Sequence, residues 1–270
     1  NSIWLNTISL FSLPKNNFNF LTLPSYLIYN LFIIFSLKNI LKSNNQKISN
    51  YFLIICVFYL LLKFTRISEY GNDLPAVIFS ILSIFYFLRY SETKDNQNKI
   101  FYFFCCFSFA VFSVLIKLSG IPILILPLIL FLKNYEKLKK QVFNVNYLFI
   151  YLLAFIFYLQ QFFYTSCIIF PAIFTCLDTE WFNKDFLLLR ENIELINKSY
   201  YGSENLLTKE DYLSKLNWFS FWLERNYPEI LENILTIFLP IILLIFLLPN
   251  EKNKSNLFLE NKNLFILFIF

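Results

Sequence analysis

The sequence predicts an all-α fold: a polytopic transmembrane helix bundle of about seven to eight spans with one external loop subdomain of amphipathic helices. Hydrophobic residues make up 57% of the chain and charged ones only 15%, whereas soluble domains carry about 25% charge. Apolar runs of bilayer-crossing length recur along the chain, and the remaining charges collect between them. Phe is abundant at 36 residues, but beside many Ile, Asn and Lys and only three Gly this reads as the codon usage of an AT-rich genome, not as a functional signal.

Residues 1–13 place apolar side chains in a pattern suited to an interfacial or membrane-entering helix, with Trp4 near the headgroups. Spans are predicted over 21–37, 50–65, 75–90, 100–116, 121–132, 147–163 and 231–248, and 263–270 begin an eighth. The fifth contains Pro122 and Pro127 and is short for a hydrocarbon core of about 30 Å, so a kink or break within the protein is expected there. Three sections follow: a transmembrane bundle with short loops over 1–163, an external loop subdomain over 164–230, and truncated C-terminal transmembrane helices over 231–270.

Lys and Arg set the orientation. Segments 38–50, 89–99 and 249–262 hold three each and 133–141 holds four, while the opposite short segments hold only Lys15, Lys63, Arg66 and Lys117. The positive-inside rule makes the first group cytoplasmic and puts the turn before Pro75, Lys117 and the long loop outside. Within that loop 185–197 has helical periodicity. Thr208-Lys-Glu-Asp211 resembles a capping box opening a helix through Trp218, Trp222 and Arg225, which Pro228 is expected to end. These helices suit either a structure lying on the outer membrane face or a small structural cap.

The candidate site lies between the second and third spans, in Lys63-Phe-Thr-Arg66-Ile-Ser-Glu69-Tyr70-Gly71-Asn-Asp73. Arg66, Glu69, Tyr70 and Asp73 are spaced to share one helical face, and charges held beside hydrocarbon are costly enough to suggest function. The alternative reading is a tight external turn in which Asp73 caps the helix beginning near Pro75 and Arg66 snorkels to the headgroups. Cys167 and Cys176 flank a short apolar loop on the predicted oxidising side, where a disulfide closes it plausibly. Cys56, Cys105 and Cys106 fall within spans as packing residues.

The chain lacks His, the commonest general base and metal ligand, which argues against a zinc site. It shows no Gly-rich phosphate loop, no Ser/His/Asp set and no basic patch for nucleic acid, so nucleic acid is not an expected partner. With no Met, and with Asn1 at one end and an apolar run reaching Phe270 at the other, the chain is expected to be an internal fragment of a longer reading frame.

Four stretches together resemble a family of bacterial polytopic inner-membrane proteins similar to GT-C-type glycosyltransferases. They are Asn1-Ser-Ile-Trp4; Arg66-Ile-Ser-Glu69-Tyr70-Gly71-Asn-Asp73; Lys117-Leu-Ser; and Cys167-Ile-Ile-Phe-Pro171-Ala-Ile-Phe-Thr-Cys176 followed by Trp181. That family usually has Gly before the first of these Cys residues, where this chain has Ser166. The resemblance implies a multi-pass enzyme of the bacterial inner membrane that moves a sugar from a polyprenyl-phosphate carrier to an external acceptor in cell-envelope glycan assembly. Its main catalytic carboxylate is then expected upstream of Asn1. Glu69 and Asp73 become second candidates, positioning the acceptor or a divalent metal ion as candidate cofactor. Arg66 and Lys117, supported by Lys63 and with Tyr70 nearby, would bind the donor phosphate. Membrane lipids and the polyprenyl-phosphate-linked sugar are the expected partners. A transporter or lipid flippase is the alternative, since it too needs intramembrane charge and broken helices.

Overall fold

The computed structural model describes residues 23–42, 47–63, 73–142, 144–167, 175–177, 179, 195, 198, 200 and 208–247. Among them the architecture is all-α, with no strand beyond one isolated bridge between Cys167 and Cys176. Nine α-helices follow in order among the described residues: α1 Leu23–Lys42, α2 Ile48–Leu62, α3 Asp73–Glu92, α4 Asn96–Ile116, α5 Ile125–Lys133, α6 Tyr135–Val142, α7 Val145–Thr165, α8 Lys209–Leu213 and α9 Trp218–Leu247.

Three of these, α1, α3 and α4, are long and apolar enough to cross a membrane, and a fourth crossing results if the bent segment from Leu118 to Val142 is one span. The expected count of about seven to eight is therefore reached only in part. Helix α2 has 15 residues, short of the roughly 20 that a perpendicular crossing needs. The segment expected to span over 121–132 opens instead as a 3-10 helix, Leu118–Leu124, with Pro122 inside it. The chain then turns by 116° between Lys133 and Tyr135. A proline ring denies the helix a hydrogen bond, which favours tighter local winding there. The expected eighth span and the helix over 185–197 lie outside the described helices.

The loop helix expected to stop at Pro228 does not stop. Helix α9 is continuous over 30 residues, Trp218–Leu247, and so crosses the expected boundary at 230. The φ that proline fixes is helical, so its cost is a lost hydrogen bond and crowding of the preceding turn. Packing of α9 on α2 and the ion pair at Glu232, one turn beyond, offset that cost.

Two large apolar clusters, with a small third around Ala76 and Ile116, build the described part of the bundle. Tyr29 and Phe32 of α1, Leu53, Cys56 and Leu60 of α2, and Ile78, Ile81 and Phe85 of α3 form one. Phe87 and Leu88 of α3, Phe103 and Cys106 of α4, Leu130 of α5, Leu138 of α6 and Tyr147 of α7 form the other. Helix α3 faces both and is the axis of the fold. Its closest partner is α4, because small buried residues, Ala76 and Ser83 on one helix and Cys106, Ala110 and Ser113 on the other, let the backbones approach.

Caps are also legible. Asp95 accepts from the backbone N–H groups of Gln97 and Asn98 at 3.2 and 3.4 Å, opening α4. Glu92 closes the neighbouring end from another helix. The Ser49 N–H donates to its Oε1 at 2.8 Å and the Ser49 hydroxyl to its Oε2 at 2.7 Å, so a carboxylate from the end of α3 caps the start of α2.

Candidate functional site

Asp73 is the first residue of α3, and Lys117 follows the last residue of α4. The two helices run antiparallel as a pair, so these residues meet, and the Lys117 ammonium forms an ion pair with Asp73 Oδ1. Both side chains remain accessible, Lys117 at 44% and Asp73 at 62%. Sequence reasoning assigned them to different parts of the substrate; the structure brings them together.

The layer beneath holds the pair in place. One turn into the bundle, the Ser80 and Ser113 hydroxyls lie 2.8 Å apart, with Ala76 O at 2.9 Å from the first and 3.1 Å from the second. In an apolar setting such bonds contribute about 0.6 to 2 kcal/mol. The Lys117 N–H donates to Ser113 O, and the Gly120 N–H donates to Lys117 O, both at 2.9 Å, which folds the chain back over the end of α4. A Cβ at Gly120 would lie 2.6 Å from Ser113 Oγ, so this close turn needs glycine.

Lys63 behaves differently. It is expected from the sequence to support phosphate binding, yet its side chain is only 6% exposed, and its ammonium is held 2.5 Å from Glu232 Oε1 on α9. Burial and engagement by a carboxylate remove it from direct contact with a ligand and make it a positioning group. Glu232, with 59% of its side chain exposed, is the residue that sequence reasoning missed. The available signal was an acid inside the apolar run 230–247, which is costly without a partner.

Lys63 caps the C-terminus of α2 and Asp73 begins α3, while Leu60 and Leu74 pack in one cluster. Both ion pairs therefore lie at the same end of the bundle. Arg66, Glu69 and Tyr70, the remaining candidates, lie outside the described residues. No group of three or more Cys, Asp or Glu that could hold a metal ion occurs among the described residues, and Asp73 meets an ammonium there. The described part of the site does not fit a divalent cation.

At the far end of α7, Cys167 and Cys176 form a disulfide at the base of the loop between them. The Leu177 N–H donates to Ser166 O at 2.8 Å, and the Ser166 and Thr179 hydroxyls lie 2.6 Å apart. Ser166 has φ 56°, in the left-handed region, and is fully buried. That conformation favours glycine, yet this chain carries Ser there, with its hydroxyl engaged by Thr179.

A family model described as a domain of unknown function matches residues 1–270, the entire chain. The chain belongs to this DUF8201 family. No curated protein and no solved structure matches the DUF8201 chain. Its chemistry is therefore argued from the two ion pairs and their surroundings.

Proposed function

We propose that this chain belongs to a membrane-embedded glycosyltransferase that takes a sugar from a polyprenyl-phosphate carrier and attaches it to an acceptor in cell-envelope glycan assembly. The reading puts it in the bacterial inner membrane, with about seven to eight crossings in this chain. The observation that carries it is the Asp73–Lys117 pair, an accessible ammonium beside a carboxylate at the end of the most closely joined helices. A lipid-linked phosphate would present its charge at such a place while its tail stays in hydrocarbon, and it would draw Lys117 from Asp73. Asp73, released, would accept from a hydroxyl of the sugar or acceptor. Arg66, with its planar fork, is the second phosphate ligand in this scheme.

The test uses the full-length reading frame in liposomes, with radiolabelled undecaprenyl-phosphate hexoses and pentoses as donors and envelope extract as acceptor. Label should pass to the acceptor, and Lys117→Met and Asp73→Asn should each slow transfer at least ten-fold at equal membrane abundance. Unaltered lipid-linked sugar crossing the bilayer, with no new linkage formed, would favour a transporter instead. The 116° break after Lys133 is the observation that keeps that second reading in view.

A further inference from the structure

We infer that helix α6 lies along the headgroup layer and that Lys133, Lys137 and Lys140 bind the phosphates of anionic lipids there. This surface is at the end of the bundle opposite the Asp73–Lys117 pair, and its role does not depend on the sugar chemistry.

The turn after α5 places it. Helix α6 departs from the line of the preceding segment by 116°, more than a right angle, so it folds back along the bundle end instead of running out into water. Leu138 holds it there, 1% exposed and packed in one cluster with Phe103 of α4, Leu130 of α5 and Tyr147 of α7. A helix of eight residues is about 12 Å long, so its full length stays near the level at which α5 ends. Exposed apolar side chains bracket it. Leu128 and Leu132 of α5 precede it, and Val145, Leu148 and Phe149 of α7 follow. Such side chains on two apolar helices need hydrocarbon around them, which puts the segment joining the two at the polar boundary of that hydrocarbon.

Charge then selects the lipid. Residues 133–140 hold four lysines against one acid, Glu136. That acid is 2.6 Å from Lys139, whose ammonium also lies 5.4 Å from the centre of the Tyr135 ring. Lys133, Lys137 and Lys140 are exposed and form no ion pair among the described residues. While Leu138 points into the bundle, Lys137 and Lys140, three apart, line the outer side of the helix. A charge run on a free loop reaches water beyond the screening length of about 8 Å and feels little of the membrane. This one is pinned to the boundary by a buried leucine. Each cation kept beside an anionic surface strengthens attachment about five-fold. The chemistry recognised is a phosphate anion, and the apolar side chains on both flanks favour one that a lipid carries.

The experiment titrates two lipids with the same tails, dioleoyl phosphatidylglycerol and dioleoyl phosphatidylcholine, into the full-length protein in neutral detergent, with bound lipid read by native mass spectrometry. The parent should bind phosphatidylglycerol at least ten-fold more tightly, and millimolar inorganic phosphate should not displace it. Lys133→Gln/Lys137→Gln/Lys140→Gln should bind the two lipids within two-fold of each other. Each single substitution should weaken phosphatidylglycerol about five-fold, which keeps the test readable if the triple variant does not insert. The control Lys38→Gln/Lys42→Gln/Lys94→Gln removes three exposed lysines elsewhere at the same end of the bundle. It should keep the parent's preference within two-fold.

A parent without the preference overturns the inference. An unchanged preference in the α6 variants does the same, as does an equal loss in the control, which would reduce the patch to its share of the net charge. Displacement by inorganic phosphate would make the ligand a free anion and overturn the assignment to lipid.

Discussion

The buried ammonium of Lys63 and the largely exposed carboxylate of Glu232, 169 positions apart in the chain, form one ion pair at 2.5 Å. The asymmetry predicts unequal effects of neutralising its two halves. Glu232→Gln leaves a buried charge without its counterion and should cost about 2 kcal/mol, less than a fully buried pair would because the acid is well solvated. Lys63→Met leaves a solvated acid and places an apolar side chain in an apolar slot, and should cost under about 1 kcal/mol. Thermal unfolding of the two variants in one detergent checks the order; equal losses would mean that the lysine is solvated after all.

Gly120 and Ser113 give a second prediction. A methyl group at Gly120 meets Ser113 Oγ at 2.6 Å and the Ser113 backbone at 3.2 and 3.3 Å. Gly120→Ala should destabilise by about 1 to 3 kcal/mol through overpacking. Adding Ser113→Ala removes the nearest clash but not the backbone contacts, so the double variant should recover part of the loss. Additive losses in unfolding experiments would show that the two residues do not meet.

Ser166 gives a third. Its left-handed backbone, φ 56°, costs a residue with a Cβ about 1 kcal/mol, and its hydroxyl bond to Thr179 returns a similar amount. Ser166→Gly should therefore be close to neutral, and Ser166→Ala, which keeps the strain and loses the bond, should be destabilising by about 1 kcal/mol. The difference between the two variants is the quantity to measure.

Much of the bundle is legible in the sequence because burial in an all-α fold is written in apolar run length. Helices α3 and α4 begin and end within about four residues of where hydropathy and charge put them. What was not legible depended on contacts between distant segments. Nothing near Asp73 announces Lys117 as its partner, since that meeting depends on the register of two antiparallel helices set by Ser80, Ser113 and Ala76. Glu232 was passed over because a single acid in an apolar run is a signal only once its partner is known. Pro228 misled for a related reason: local propensity predicts a stop, and tertiary packing of α9 on α2 overrides it. Pro122 marks the 3-10 opening of its segment, but the 116° turn after Lys133 lies beyond both Pro122 and Pro127, where the sequence put the kink.

The last prediction concerns orientation, on which the whole site depends. By the positive-inside rule the basic residues after α1 and α5 are expected to face the cytoplasm, and Lys63, Asp73, Lys117 and the Cys167–Cys176 disulfide the opposite side. A reporter fused after Lys140, in the bent segment beyond α5, should read cytoplasm, and one fused near Asn205 should read exterior. The disulfide supplies an independent check. In membranes prepared without reductant, Cys167 and Cys176 should resist thiol labelling until reduced. Cys56, Cys105 and Cys106, buried free thiols, should label only after unfolding. An exterior reading at Lys140 with a cytoplasmic one at Asn205 would put both ion pairs on the cytoplasmic face. A donor sugar delivered outside could not reach them there, and the assignment of Asp73 and Lys117 to that chemistry would fall.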